Sequence, residues 1–280
     1  MGLARCALNP ETMQSKKYYV KPAKKAKNVA VIGGGIGGME AAILLTKRGH
    51  KVTIYEKTDK LGGVFVAAAA PSFKEKDREL IAWYIREVQK LPIEVKLNTE
   101  IKDISAIKAD EIIIATGAKA KRIPIPGVEK SVEAVDYLLG NKTVGNKVVV
   151  IGGGLTGCEI AYDLYLQGKE PVVVEMQDDL ITTPGICLAN TSYLRDFFNA
   201  NKVAVHLETG VKEIKDGAVV IADKNGNTSE ISCDSVVLSV GYNPAPIAKK
   251  SRHVHIIGDA QNVGNLRTVI WGAWDVCMKI

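Results

Sequence analysis

Long apolar runs are missing from this sequence. The longest one, Val64 to Ala70, is far short of the roughly 20 residues that a helix needs to cross a bilayer. The first residues also lack the apolar core of a secretory signal peptide. These absences argue against a membrane-embedded or secreted protein, and we expect a cytoplasmic one with no membrane partner.

Paired cysteines are missing as well. The five cysteines stand singly, without a Cys-x-x-Cys pair: Cys6, Cys158, Cys187, Cys233 and Cys277. An odd number of isolated cysteines does not suit a disulfide framework and fits a reducing compartment. The four histidines have no metal-ligand spacing with one another or with a cysteine, and no Ser-His-Asp order or paired-carboxylate motif stands out. No hydrolytic or metal-dependent site is therefore predicted.

Positive charge is concentrated in one place. The net charge is +6, and six lysines fall between Lys16 and Lys27, so that the remainder of the chain is near neutral. No basic surface with interleaved aromatic residues follows, and we predict a solvated basic linker and no nucleic-acid partner. With 46% apolar and 24% charged residues, the 280 residues suffice for about two globular domains.

What the sequence does contain is an internal repeat. Val29-Ala-Val-Ile-Gly-Gly-Gly-Ile-Gly-Gly-Met-Glu40 is echoed without a gap by Val148-Val-Val-Ile-Gly-Gly-Gly-Leu-Thr-Gly-Cys-Glu159. Each copy predicts a strand, a glycine turn, an amphipathic helix (36–48 and 155–167), a glycine stop and a second strand. The sequence therefore predicts a βαβ unit, present twice.

The glycine turn of each copy has the spacing of a dinucleotide-binding turn. The first glycine permits the tight bend, the second lets the backbone approach a pyrophosphate, and the third allows close packing of helix on strand. The helix N-terminus behind the turn offers unpaired N–H groups and a partial positive charge to the phosphates. These glycines are Gly33, Gly35 and Gly38 in the first copy and Gly152, Gly154 and Gly157 in the second.

An acidic residue ends the second strand of each copy, Glu56 in the first and Glu175 in the second. A carboxylate at this position accepts hydrogen bonds from the adenosine ribose hydroxyls and repels a 2′-phosphate. Strand, turn, helix and acid in this order are far more specific than a glycine cluster alone. We therefore predict two nucleotide sites, with NADH preferred over NADPH in the second.

Two connectors indicate how the chain is divided. A Pro/Gly-rich segment, 123–127, follows the first copy, and Gly241-Tyr-Asn-Pro244 mirrors it after the second. We therefore expect the chain to leave one domain, build a second and return. The predicted division is a linker over 1–26, a first domain over 27–122 and 242–280, and a second over 123–241. The predicted fold class is α/β, with two Rossmann-like dinucleotide-binding domains, the second inserted in the first.

This organisation, together with Ala115-Thr-Gly117 and Ile257-Gly-Asp259, resembles the flavoprotein oxidoreductases with two dinucleotide folds, such as glutathione and thioredoxin reductases. The resemblance spans residues 27–280 and implies FAD in the first unit and NAD(P)H in the second. By position, it assigns FAD to Gly33, Gly35, Gly38, Glu56, Lys57, Gly62, Gly63, Gly117, Gly258 and Asp259. It assigns the nicotinamide nucleotide to Gly152, Gly154, Gly157 and Glu175, with Glu159 either a nicotinamide-side contact or an ordinary surface carboxylate.

The branch of that superfamily with a redox-active disulfide is disfavoured. Thiol–disulfide exchange needs sulfur beside the flavin, and no cysteine occurs in the segment that follows Leu61-Gly-Gly63. We expect Cys158 to be a packing residue. Trp271 and Trp274, three apart on the last predicted helix, either border a flavin ring or belong to the core.

The N-terminal region narrows the resemblance. Arg5-Cys-Ala-Leu-Asn-Pro10, a lysine-rich spacer and Gly49-His-Lys-Val-Thr-Ile-Tyr-Glu-Lys57 resemble the C-terminal half of the NADH:flavin oxidoreductases. This family includes 2,4-dienoyl-CoA reductase, 2-enoate reductase and trimethylamine dehydrogenase. Its members carry an Old Yellow Enzyme-like barrel with FMN and then an iron–sulfur [4Fe–4S] cluster, whose last ligand corresponds to Cys6. A four-iron cluster needs four thiolates, and the barrel and the other ligands are absent, so we expect a C-terminal fragment of such an enzyme.

The resemblance implies an electron-entry module that passes hydride from NADH to FAD. Onward transfer to [4Fe–4S], FMN and an enoate- or enoyl-type substrate would occur in the missing part, so that the chain alone is at most a diaphorase. Hydride transfer demands no side-chain acid or base, and no catalytic residue is predicted. One alternative is a non-catalytic scaffold, because the trimethylamine dehydrogenase branch holds ADP in the first unit. Another is a stand-alone NADH:acceptor reductase whose lysine-rich tail docks a separate iron–sulfur protein. The substrate and the oligomeric state stay open.

Overall fold

The computed structural model describes residues 4–280, and the first three residues of the predicted linker lie outside the described residues. The strands are β1 (Asn28–Ile32), β2 (Lys51–Tyr55), β3 (Glu94–Lys96), β4 (Glu111–Ile114), β5 (Ala118–Ala120), β6 (Val132–Glu133), β7 (Lys147–Ile151), β8 (Glu170–Val174), β9 (Ala204–His206), β10 (Thr209–Lys215), β11 (Ala218–Asp223), β12 (Thr228–Ser232), β13 (Ser235–Leu238), β14 (Tyr242–Pro244) and β15 (Val254–Ile256). The helices are α1 (Ile36–Lys47), α2 (Phe65–Ala68), α3 (Glu75–Lys90), α4 (Ala134–Leu138), α5 (Leu155–Leu166), α6 (Leu188–Ala200) and α7 (Leu266–Cys277).

The chain divides into two compact units. The first comprises the chain up to Val66, Glu75–Lys119 and Asn243–Ile280, and the second comprises Ala67–Lys74 and Ala120–Tyr242. The short segment Ala67–Lys74, which the sequence assigns to the first domain, groups with the second unit. The functional domain boundaries inferred from the connectors stay a prediction.

The first unit is built on a five-stranded parallel sheet in the order β15-β4-β1-β2-β3. The inner strands β1 and β4 are rich in branched aliphatic residues and nearly fully buried, as expected for a parallel sheet that is covered on both faces. The chain runs outward from β1 through β2 to β3 and then returns to the other side of β1. Ligands bind at the carboxyl ends of the strands at such a reversal.

Three helices close the core of the first unit. The central helix α1 is buried over most of its length. The helix α3 turns Ile81, Tyr84 and Val88 inward at helical spacing and keeps its charged residues outward. The helix α7 begins at a capping box of Asn265 and Thr268, which satisfies two of its free N–H groups.

Part of the predicted linker also belongs to this core. Tyr18 is 5% exposed, and its ring centroid lies 5.2 Å from that of Trp271 and 6.2 Å from that of Trp274. The lysines on either side of it, Lys17 and Lys21, are exposed. The Tyr18 ring is therefore one anchor of the segment on the first unit, while the charges of the neighbouring lysines face water.

The second unit repeats the plan with a sheet in the order β6-β13-β7-β8-β9, which is parallel throughout. One face carries α4, α5 and α6 over a core that includes Ile160, Leu164 and Phe198. The antiparallel sheet β10-β11-β12 covers the other face. The strands β7 and β8 hold the places that β1 and β2 hold in the first unit.

The mixed α/β architecture, with one parallel sheet in each unit, agrees with the predicted fold class. The strands β5 and β14 form a separate two-stranded pair. Over residues 4–280, no helix is both long and apolar enough to span a membrane.

Candidate nucleotide-binding sites

The glycine turn of the first unit follows β1. Gly33 has φ +106°, and its N–H donates to the Tyr55 carbonyl at 2.8 Å. A Cβ added to Gly38 would lie 1.9 Å from the carbonyl oxygen of Gly33. Both glycines are thus required by the protein's own backbone, one for the bend and the other for the approach of α1 to β1.

The middle glycine of each turn has a different environment. A Cβ on Gly35 would meet only the Cα of Gly63, at 3.9 Å, and a Cβ on Gly154 would meet nothing within 4 Å. The protein's own packing therefore does not demand glycine there. A bare backbone beside open space at a helix N-terminus is what a pyrophosphate needs in order to approach, so the residues present fit a dinucleotide.

Glu56 joins the turn to the end of β2. Its Oε2 accepts the N–H of Gly34 at 2.7 Å, and its Oε1 accepts the N–H and the hydroxyl of Thr58, both at 2.8 Å. The side chain is buried. These bonds fix the carboxylate beside the glycine turn, where a ribose would lie.

The second unit reproduces this geometry. Gly152 also has φ +106°, and a Cβ on Gly157 would lie 1.9 Å from the Gly152 carbonyl oxygen. Glu175 Oε2 accepts the N–H of Gly153 at 2.5 Å, and its Oε1 accepts the N–H of Gln177 at 2.8 Å. The two copies of the sequence repeat thus share one backbone and hydrogen-bond geometry.

The remaining residues assigned to FAD lie at the same edge of the first sheet. Gly62 donates its N–H to the Gly34 carbonyl at 2.9 Å and bridges to Gly35. Gly117 follows β4, and Gly258 and Asp259 follow β15. Asp259 accepts the N–H of Gly264 at 3.0 Å, and its partial burial raises the pKa of its carboxyl. Lys57 is exposed next to Glu56. The structure therefore brings the FAD assignments to the carboxyl ends of four strands.

Glu159, on the first turns of α5, is not a free surface carboxylate. Lys74 Nζ donates to its Oε1 at 2.6 Å, and both side chains are largely buried. Two further contacts hold the same segment on α5: the Phe73 ring lies 5.0 Å from that of Tyr162, and the Ser72 N–H donates to Asp163 at 3.4 Å. Lys74 is a candidate site residue that sequence reasoning missed, since no local pattern marks a partner 85 positions away.

Cys158 lies in the core of the second unit. Its thiol donates to the Gly153 carbonyl at 3.3 Å, and burial raises its pKa to about 12. A thiol with so high a pKa is a poor nucleophile, which agrees with a packing role.

Trp274 belongs to the core, where its Nε1 donates to Glu40 at 2.6 Å. Trp271 contacts the N-terminal segment, and its Nε1 donates to the Cys6 carbonyl at 3.1 Å. The two tryptophans therefore have packing partners in the protein. Among residues 4–280 no three His, Cys, Asp or Glu side chains converge on a metal position, and Cys6 alone does not fit a [4Fe–4S] cluster.

A family model for pyridine nucleotide-disulphide oxidoreductases matches residues 27–268, with a second match over 6–106. The chain belongs to this family. It is 40% identical over 283 residues to a cinnamate reductase of Clostridium sporogenes, covering 98% of this chain and 42% of that protein. It is similar to the solved 2-naphthoyl-CoA reductase, with a TM-score of 0.90 and 31% identity over 99% of this chain and 43% of that one. The chain thus spans less than half the length of these larger relatives.

The thioredoxin reductase of T. acidophilum shares the fold, with a TM-score of 0.71 at 17% identity, and the match covers 97% of that chain. Nearly the whole of that chain is therefore matched, and the shared two-domain fold confirms the predicted fold class. The resemblance to the FAD- and NAD-binding region of NADH:flavin oxidoreductases is confirmed too, since both larger reductases match only with a part of this size. The predicted class of enzyme, an oxidoreductase, follows from the family.

Proposed function

We propose that this chain is the electron-entry module of a larger flavoprotein oxidoreductase, with FAD in the first unit and NADH in the second. When bound together, these cofactors supply a hydride donor and a hydride acceptor, and the protein supplies their positions. The electrons would continue to an iron–sulfur and FMN portion of a longer enzyme that acts on an enoate- or enoyl-type substrate. Reductases named for cinnamate and 2-naphthoyl-CoA among the relatives support this substrate class.

The observation that carries the proposal is the duplicated site. In both units the third glycine lets helix and strand approach, the middle glycine leaves open space, and a glutamate accepts the N–H of the turn. This duplication supports the proposal that one chain binds two dinucleotides. A protein that bound a single nucleotide would not need the full fingerprint twice.

The helix N-termini and three glutamates have different roles in the proposed sites. The N-termini of α1 and α5 direct unpaired N–H groups at the phosphates. The carboxylates of Glu56 and Glu175 accept ribose hydroxyl hydrogens and keep a 2′-phosphate away. Glu159, held by Lys74, is the proposed contact on the nicotinamide side. No side chain is assigned a proton-transfer role.

The iron–sulfur cluster belongs to the parent enzyme and not to this chain. The five cysteines are free thiols, and Cys6 is the one that the resemblance places at the cluster. One thiolate does not hold four irons. No step of the proposed reaction within this chain therefore depends on the cluster.

The visible absorption spectrum tests the proposal. The chain is purified with excess FAD, freed of unbound cofactor and titrated with NADH in the absence of oxygen. We expect a flavin band that bleaches on addition of NADH and returns with an artificial acceptor. A chain that retains FAD but is not bleached would contradict the NADH site.

The same preparation separates the proposal from a scaffold role. The glycine turn and Glu56 recognise phosphate and ribose, which ADP shares with FAD. The nucleotide released on denaturation is therefore identified by chromatography. A colourless chain that releases ADP would replace the electron-entry role with that of a nucleotide-binding scaffold.

A further inference from the structure

An arginine is held next to the ribose-binding end of the second unit. Arg195 Nε donates a hydrogen bond to Asp179 Oδ1 at 2.9 Å, and Arg195 Nη2 lies 2.8 Å from Asp179 Oδ2. The same Nη2 also donates to the Leu180 carbonyl. Arg195 lies on α6, and two of its three guanidinium nitrogens bind the loop that contains Asp179 and Leu180.

This loop lies directly against the proposed nucleotide site. It begins at Glu175, whose carboxylate is fixed on the glycine turn. A Cβ on Gly153 would lie 2.6 Å from the side chain of Leu180, so the loop returns to the turn after Asp179. The guanidinium of Arg195 is therefore anchored to the loop that follows the ribose-binding acid.

The first copy of the repeat has the opposite charge at the matching position. The spacing that relates Glu56 to Glu175 and Leu61 to Leu180 also relates Lys60 to Asp179. The loop after Glu56 carries Lys57, Asp59 and Lys60, and the loop after Glu175 carries Asp178 and Asp179, so that Asp59 and Asp178 match while Lys60 and Asp179 differ in sign. The two copies of the repeat therefore differ in charge in the loop that follows the proposed ribose-binding glutamate.

Two further lysines of the second unit are also bound to protein acceptors. Lys224 donates to both carboxylate oxygens of Glu208, at 2.9 and 2.8 Å, and the Glu208 N–H donates to the Gln177 carbonyl. Lys169 donates to the carbonyls of Val144 and Gly145, at the far end of β8. A 2′-phosphate would therefore lie beside the Glu175 carboxylate, and both lysines would already be bound to other acceptors.

We propose that Asp179 is a specificity-determining residue, which selects NADH by binding Arg195 and so withholding it from a 2′-phosphate. The inference rests on the proposed NADH site and adds to it a second element of selectivity besides Glu175. Arginine binds phosphate through parallel hydrogen bonds from its fork of donors, and a carboxylate competes for the same donors. When Asp179 no longer binds Arg195, the guanidinium becomes available to bind the 2′-phosphate of NADPH.

The test compares dissociation constants of NADH and NADPH for the whole chain, measured by calorimetry. We expect Asp179→Asn to tighten NADPH binding about tenfold, the equivalent of one charge-assisted contact, and to change NADH binding less than about threefold. In the double variant with Arg195→Gln, the gain for NADPH should disappear. Arg195→Gln alone should leave the ratio of the two constants near that of the native chain.

Asp178→Asn is the matched control, because it removes the same charge one position away from the ion pair. Equal gains for NADPH in Asp178→Asn and Asp179→Asn would overturn the inference and leave only a general charge effect. A gain that persists in the double variant would overturn it too. Unaltered NADPH binding in Asp179→Asn, with NADH bound normally, would refute the inference and leave the proposed function standing. A native chain that binds neither nucleotide would refute both.

Discussion

The indole Nε1 of Trp274 donates a 2.6 Å hydrogen bond to Oε1 of Glu40 inside the first unit. Glu40 is 7% exposed, and burial is the main cause that raises the pKa of its carboxyl above the ordinary value of 4.5. Hydrogen bonds from Tyr84 and Trp274 and the charge of Lys47 act in the opposite direction, and Glu11 adds to the rise. The folded chain therefore holds a proton on Glu40 at pH values where the unfolded chain has lost it.

Glu40 should make the chain less stable as the pH rises. Its contribution is fully present below the unfolded-state pKa near 4.5 and is lost as the pH rises through the folded-state value. Glu40→Gln stays neutral and keeps an acceptor for Trp274. We expect the free energy of unfolding of the variant, relative to the native chain, to increase from pH 4.5 upward in urea denaturation. The exposed Glu129→Gln serves as the control, and parallel pH curves for the native chain and Glu40→Gln would contradict the expectation.

The third and the middle glycine of the second turn should respond differently to alanine. In Gly157→Ala the new Cβ would meet the Gly152 carbonyl oxygen, and we expect a loss of about 1–3 kcal/mol in the free energy of unfolding. In Gly154→Ala the Cβ meets no protein atom, and the loss should stay within about 1 kcal/mol. NADH binding should nevertheless weaken in Gly154→Ala, because the methyl group occupies the space left for the pyrophosphate. Urea denaturation and NADH titration measure the two effects, and a Gly154→Ala chain with native affinity would speak against the site.

The sequence predicts the parts of the fold whose causes are local. The helices predicted over 36–48 and 155–167 are α1 and α5, because apolar residues at helical spacing and a glycine stop define each of them. The glycine turns follow in the same way, since a turn, a helix N-terminus and an acid at fixed spacing have one common geometry.

The elements that were missed depend on distant partners. The strand β12, at one edge of the sheet β10-β11-β12, is exposed on nearly every residue, so its sequence lacks the alternation of a half-buried strand. The lysines around Tyr18 suggest a solvated tail, and only the two tryptophans of α7 show why that ring is buried. Lys74 and Glu159 are likewise distant in the sequence, and they meet only in the folded chain, where Ala67–Lys74 belongs to the second unit.

Lys74 and Glu159 should be energetically coupled. The ammonium and the carboxylate lie 2.6 Å apart, with 20% and 16% of their side chains exposed. Removal of one partner leaves the other charge in a poorly hydrated place, so each of Lys74→Met and Glu159→Gln should destabilise the chain more than a surface change. The double variant should lose less than the sum of the two, with a coupling of about 1 kcal/mol in urea denaturation. Exposed Lys76 and Glu79, paired at 2.9 Å on α3, provide a control cycle that should show little coupling.

Tyr18 should anchor the N-terminal segment on the first unit. Its ring is 5% exposed between Trp271 and Trp274, and its hydroxyl donates to Asp275 at 3.1 Å. We expect Tyr18→Ala to lower the free energy of unfolding by about 3 kcal/mol, the range for loss of a buried aromatic ring. Tyr18→Phe keeps the ring and should cost about 1 kcal/mol for the lost hydrogen bond.

Tyr19 provides the matched control for this anchor, because it is the next residue and is 40% exposed. Tyr19→Ala should change the stability little, and a loss equal to that of Tyr18→Ala in urea denaturation would contradict a specific anchoring role of the Tyr18 ring.

The anchor also determines how the lysine-rich segment is to be tested as a docking site for an electron acceptor. Deletion of residues 1–26 removes Tyr18 from the core together with the charges, so slower turnover would follow from lost stability alone. Replacement of the exposed Lys16, Lys17, Lys24 and Lys25 by glutamine keeps the anchor, and a rate that then becomes independent of salt would assign the docking to those charges.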